Sequence, residues 1–166
     1  MKINIAQVHK AIGERQSFSF LVPAAAVADG QELWLTGQLE VAGEIVNNGR
    51  ALKVTGTVKA NAAGVCSRCL GEFGAPVTIP FAEDFQEASQ AAAGDDNTVY
   101  SGDEIDLGDL IREAIILAEP IKPLCSQDCK GLCPKCGINL NQTTCECDRF
   151  TVDPRLAALE KLLHKK

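Results

Sequence analysis

Residues 33–58, LWLTGQLEVAGEIVNNGRALKVTGTV, set the architecture. Leu33, Leu35, Leu39, Val41 and Ile45 interleave with polar or small residues, the period of two of a half-buried strand. Asn47-Asn48-Gly49-Arg50 follows, and Asn and Gly tolerate the positive φ that a tight hairpin turn demands. Leu52, Val54 and Val58 then resume the alternation through Ala51–Ala60. Outward from this hairpin, Met1–Val8 and Ser17–Val22 carry strand-like alternation. Val77, Ile79, Phe81 and Phe85 suggest a further strand. Pro76 and Pro80 place it near an edge, because proline cannot donate to a ladder. The expected class is α+β: an antiparallel β barrel or sandwich body with two helices and a C-terminal cysteine-rich zinc-knuckle segment.

The helices are read from spacing and caps. Leu107, Leu110, Ile111, Ala114, Ile115 and Ala118 form an apolar stripe from Asp106 to Glu119. Asp106 and Asp109 suit its positive N-terminal end, and Pro120 and Pro123 stop it. A second helix begins at Asp153 as N-cap with Pro154 at the first helical position. Leu156, Leu159, Leu162 and Leu163 form its apolar face. Between body and helices, Ala88–Asn97 is small, polar and acidic. The expected domains are a β-rich body over 1–87, an acidic flexible linker over 88–98, and a helical and cysteine-rich part over 99–166. No internal repeat is evident.

Composition removes several classes. The 166 residues hold 46% hydrophobic side chains, enough for a core. No stretch approaches the roughly 20 apolar residues of a membrane span. MKINIAQVHK has no apolar segment of a secretory signal, so a cytoplasmic location is expected. The net charge of −6 argues against coating nucleic acid by bulk electrostatics. Nine acids and no Lys or Arg lie between Glu83 and Asp109, and the rest of the chain carries 16 basic against 13 acidic residues. This acidic belt is either a solvated stretch or a surface for a basic partner, such as a ribosomal protein. Aromatics are only 5%, too few for a base-stacking platform. His9 and His164 stand alone near the termini, and no nucleophile elbow or His-Glu-x-x-His appears. No small-molecule substrate is implied.

Eight cysteines carry the chemistry: Cys66, Cys69, Cys125, Cys129, Cys133, Cys136, Cys145 and Cys147. Cys66-Ser-Arg-Cys69 and Cys133-Pro-Lys-Cys136 are C-x-x-C hooks, in which backbone N–H groups of a turn point at two sulfurs. In Cys133-Pro-Lys-Cys136-Gly137 the proline starts the turn and the glycine suits a positive φ. The simplest division puts Cys133, Cys136, Cys145 and Cys147 in one zinc site and Cys66, Cys69, Cys125 and Cys129 in a second. The alternative is a local site of Cys125, Cys129, Cys133 and Cys136. Four thiolates fill a tetrahedron and leave no place for an activated water, so one or two zinc ions would be structural. Iron–sulfur clusters use the same ligands. A redox role for Cys66/Cys69 competes, but such pairs normally open a helix. Two filled zinc sites would take the charge to about −10. Any RNA contact then falls to nearby Arg68, Lys122, Lys130, Lys135 and Arg149, with Arg68, Lys130, Lys135 and Arg149 as phosphate candidates because the hooks hold them.

Four strings appear in order: VCSRCLGEF, SGDEIDLGDLIREAIILAEPIKPLC, CKGLCPKCGINLN with CEC, and DPRLAALEKLL. Together they resemble the YceD family, also called domain-of-unknown-function family 177, over most of residues 35–166. The resemblance implies a role in accumulation of 23S ribosomal RNA, through its synthesis, processing or stability in the large subunit. Some members share the first hook but lack the full C-terminal cluster, which makes the second site here a stabilising addition. The leading expectation is a non-enzymatic factor acting on ribosomal RNA or a pre-large-subunit particle. The alternatives are a protein-interaction or chaperone module without RNA contact, and a thiol redox or metal-handling protein.

Overall fold

The computed structural model describes residues 1–28, 34–89 and 98–148. Strands dominate: β1 (Lys2–Asn4), β2 (Arg15–Pro23), β3 (Leu35–Asn47), β4 (Leu52–Val65), β5 (Glu72–Glu87), β6 (Thr98–Tyr100) and β7 (Glu104–Asp106). A 3-10 turn covers Val8–Lys10, and two helices, α1 (Ala24–Ala28) and α2 (Gly108–Leu117), complete the set. Five strands form one sheet in the order β2-β3-β4-β5-β6, and β1 pairs with β7 in a second.

The β3–β4 hairpin is the centre of the large sheet. Val41 faces Val58 and Ile45 faces Val54 across it, and all four are fully buried. Between them Gly43 lies opposite Gly56. A Cβ on Gly43 would meet Phe18 at 2.7 Å, and one on Gly56 would collide with Phe81. The two glycines therefore open room in the core face for the Phe18 and Phe81 rings, which stack at 6.4 Å. Ile111 and Ile115 of α2 join the same core. Trp34 Nε1 donates to the Ile115 carbonyl at 3.0 Å, fixing the end of the helix to the start of β3.

Several expectations change. Among the described residues the large sheet is open, ending at β2 and β6, rather than closed into a barrel. It is also not wholly antiparallel, because β6 runs parallel to β5. Only Lys2–Asn4 of Met1–Val8 is strand; Val8 is buried from the 3-10 turn instead. α1 carries no helical stripe long enough to read from sequence, since it has five residues. The proline expectation has a concrete form: β6 pairs only with Phe85–Glu87, so Pro76 and Pro80 face no strand on that side among the described residues. The helix expected from Asp153, most of the 88–98 linker, Arg149 and His164 lie outside the described residues.

The chain divides into two compact units, Met1–Gly64 with Phe73–Ile121, and Val65–Glu72 with Lys122 onward. Among the described residues, the first holds both helices, the hydrophobic core cluster and both sheets apart from Val65 and Glu72 at the ends of β4 and β5. The second holds all eight cysteines. Thus α2 groups with the sheet, and the first hook groups with the later cysteines. No described helix is long and apolar enough to cross a membrane.

Candidate metal centre

The two hooks are built alike. In the first, the Leu70 N–H donates to the Cys66 carbonyl at 2.9 Å, and the Cys66 N–H donates to the Gly71 carbonyl at 2.9 Å. In the second, Gly137 donates to Cys133 and Cys133 donates to Ile138, again at 2.9 Å each. The repeated pattern turns the chain back on itself so that four residues present two sulfurs. It also forces the residue after the second cysteine into the left-handed region. Gly137 occupies that place at φ +73°, as its position after the hook leads one to expect. Leu70 occupies the matching place at φ +55°, alone among the described non-glycine residues with positive φ. A left-handed leucine costs roughly 1–2 kcal/mol. Leu70 is also exposed, so little packing would be lost with it. Leu70→Gly is therefore expected to stabilise the second unit by about 1 kcal/mol, read from the denaturant midpoint of the full chain.

The hooks bring the eight sulfurs into two sets. Cys66, Cys69, Cys125 and Cys129 form one, and Cys133, Cys136, Cys145 and Cys147 the other; within each, all sulfurs lie within 4.8 Å of one another. Cys66 and Cys129 are 3.8 Å apart, as are Cys69 and Cys125. A tetrahedron with metal–sulfur bonds of about 2.3 Å has edges of about 3.8 Å, so the first set matches a metal-sized cage. The same separation is far beyond the roughly 2.05 Å of a disulfide. Nor does the first hook open a helix: it is a turn that follows β4.

Protonation reinforces this reading. The Cys66 thiol is held down to about 6 by the backbone N–H groups of Cys125 and Cys69. Cys133 is likewise held at about 6 by the N–H groups of Cys136 and Lys135. Burial opposes ionisation of Cys129, but the Asn141 amide and the Gly131 N–H outweigh it and lower its pKa. The neighbours move the other way. Cys125, hydrogen-bonded to the Cys129 sulfur, is pushed up to about 12, and Cys147, hydrogen-bonded to the Cys136 sulfur, also to about 12. Cys69 is raised as well: the Gly71 N–H favours its thiolate, but burial and the sulfurs of Cys66 and Cys129 win. Each set thus resists holding four negative charges by itself. A divalent cation removes that conflict, which is the chemistry expected of a four-sulfur metal site.

The surroundings of the first set include a residue from between the ligands of the second. Asn141 donates from Nδ2 to Cys129 Sγ at 3.2 Å, while its Oδ1 accepts the Lys130 N–H at 2.8 Å. Hydrogen bonds to ligating sulfurs tune metal affinity, and losing one typically costs about 10–100-fold. Asn141→Ala is expected to weaken metal binding at the first set by that amount in a chelator competition. Asn141→Asp is expected to be worse, because it puts a carboxylate against thiolate sulfur. Gly131, at φ +73°, permits another close approach, since a Cβ there would sit only 3.0 Å from the Arg68 carbonyl oxygen.

The basic candidates separate by role. Arg68 Nη1 donates to the carbonyls of Gln127 and Cys129, each at 3.0 Å, and the Arg68 carbonyl accepts from Leu132. Its side chain ties the first hook to the Cys125–Cys129 turn. Lys122, Lys130 and Lys135 are exposed. The acidic belt gathers in the other unit. Glu83, Asp106, Asp109 and Glu113 line a cavity of about 420 Å³ over Phe85 and Leu110. Asp109 also pairs with Arg112 at 2.7 Å. Asp106 accepts from the Met1 amine and the Gly108 N–H, which hold its carboxyl below the usual range.

Residues 54–163, which include every cysteine, match the family described as Large ribosomal RNA subunit accumulation protein YceD. The chain belongs to the YceD family. It is 37% identical over 114 residues to an uncharacterized protein of Mycobacterium tuberculosis, covering 66% of this chain and 55% of that one. A Bacillus subtilis protein is 36% identical over 100 residues, covering 59% and 58%. Large ribosomal RNA subunit accumulation protein YCED homolog 1, chloroplastic, of Arabidopsis thaliana is 41% identical over 59 residues, 36% of this chain and 18% of that one. The chain spans about half the length of the mycobacterial relative. No solved structure matches it.

Proposed function

We propose that this YceD-family chain is a non-enzymatic cytoplasmic factor that supports accumulation of 23S ribosomal RNA during large-subunit assembly. The family match over both cysteine sets carries the ribosomal part of this reading. The two four-sulfur sets support the rest: each is read as one structural zinc, since four thiolates leave no open coordination position for catalysis. The zinc ions would hold Lys130 and Lys135 on short, rigid turns, where a lysine loses little freedom on meeting a phosphate. Arg68 would act indirectly, by fixing the turn that carries Cys129 and Lys130.

The test is genetic and quantitative. Cells lacking the chain are expected to show less 23S relative to 16S ribosomal RNA. The wild-type chain should restore the ratio, and Cys66→Ser should not. An unchanged ratio in cells without the chain would oppose the proposal. The acidic cavity favours a second reading, a module that holds a basic ribosomal protein. Copurification of such a protein that disappears in Glu83→Gln/Glu113→Gln, with RNA binding unaltered, would favour it.

A further inference from the structure

In the β-rich unit, a cavity of about 150 Å³ is lined by His9 and Lys10 from the 3-10 turn, Asn47 and Arg50 from the β3–β4 turn, and Glu87 and Tyr100 from β5 and β6. The surrounding charges set it apart. The two larger cavities against α2 are lined by carboxylates, Glu83 and Glu113 in one and those same two with Asp106 and Asp109 in the other. Here Glu87 lies 3.4 Å from His9 Nε2, and Lys10 and Arg50 pair with no carboxylate among the described residues. Two cations therefore converge on one concavity in a chain of net charge −6.

The turn that holds them is unusually well tied. Asn47 is the one buried polar residue among those described. Its Nδ2 donates to the carbonyls of Val8 and His9 at 2.9 and 3.3 Å, and its Oδ1 accepts the Gly49 N–H at 2.8 Å. Asn48 Oδ1 accepts from the N–H groups of Arg50 and Ala51 at 2.9 and 2.8 Å. A hairpin turn alone needs no such link to a distant 3-10 segment. The link fixes the backbones that carry Lys10 and Arg50 relative to each other.

Resting on the ribosomal RNA reading, we infer that this cavity binds one phosphoryl group of an RNA backbone. It is well below the roughly 300–1,000 Å³ of a small-molecule pocket, so it takes a single group rather than a nucleotide. Arginine offers a planar donor fork to phosphate oxygens, and lysine adds a point charge. Lys10 and Arg50 lie outside the matched residues 54–163, while Glu87 and Tyr100 of the same lining lie within them.

The experiment uses the full chain, Lys10→Glu/Arg50→Glu, and Arg50→Lys. Anisotropy of a short fluorescent single-stranded RNA is read across a salt series, and amide shifts are followed with inorganic phosphate. The charge-reversed variant is expected to bind RNA at least about 10-fold more weakly. Its slope of log affinity against log salt should become shallower by about 0.7, the share of one single-strand phosphate no longer neutralised. Arg50→Lys should retain most of the binding, and phosphate should move the amides of Lys10 and Arg50 in the wild type but not those of the charge-reversed variant. RNA binding with the same affinity and slope in the charge-reversed variant would overturn the site while leaving the ribosomal reading intact. Shifts with phosphate but no RNA binding by the wild type would support a site for free phosphate and overturn the RNA backbone as its source.

Discussion

Cys66→Ser is expected to abolish metal binding at the first set and to unfold the cysteine unit while the β-rich unit stays folded. Cys66 is fully buried, and its sulfur is 3.8 Å from Cys129. No described residue of the cysteine unit belongs to the hydrophobic core cluster, whose members lie in Met1–Gly64 and Phe73–Ile121. Its described residues are held by turns and hydrogen bonds, to which a metal at each four-sulfur set would add. Apparent binding energies of structural zinc run to about 10–16 kcal/mol, comparable with the whole stability of an ordinary domain. Removing one of four thiolates forfeits much of that. The check is amide hydrogen exchange by mass spectrometry. Residues 65–72 and 122–148 should lose protection in the variant, and peptides from β3 and β4 should keep it. Uniform loss across both units would show that one cooperative fold depends on the metal.

The second large effect is on pH. Cys125 and Cys147, raised to about 12, and Cys69, raised by burial and by its sulfur neighbours, carry protons at neutral pH in the metal-free chain. Metal must displace those protons, so affinity falls as pH falls. Cys66 and Cys133, lowered to about 6, are already thiolates at pH 7 and cost nothing there. Below pH 6 they too are protonated, and each site then competes with one proton more. The sign is thus the same throughout, but the loss steepens near pH 6 by about another tenfold per pH unit at each site. Chelator competition from pH 8 to 5 should show that break, about where those two thiols titrate. A constant slope through the range would contradict the assignment of the low values to Cys66 and Cys133.

Sequence and structure agree where a short-range physical rule dominates. The alternation of Leu39, Val41 and Ile45 against Leu52, Val54 and Val58 is a local period, and the Asn-Asn-Gly-Arg turn fixes its register. The buried stripe of Leu107, Ile111 and Ile115 is equally local. The pairing of Cys66 and Cys69 with Cys125 and Cys129 was legible for a different reason: eight thiols in hooks divide most simply into two fours. Closure of the sheet was not legible. Whether the edge strands meet depends on twist and on the short parallel β6, and three residues carry no periodic signal. The bonds of Arg68 were hidden too, since nothing in the hook's sequence shows that its guanidinium donates to two carbonyls of the Cys125–Cys129 turn. The matching backbone of the two hooks is masked in the sequence because Leu70 stands where the other has Gly137, and only the dihedral angles equate them. The tie from Asn47 to Val8 and His9 joins segments far apart in the chain and leaves no mark beyond an ordinary turn motif.

Metal content per chain, measured together with thiol reactivity before and after chelation, tests the central claim most directly. Two zinc ions per chain are expected, with all eight cysteines protected until the metal is removed. Metal-free protein with its cysteines freely reactive, or joined in disulfides, would contradict it.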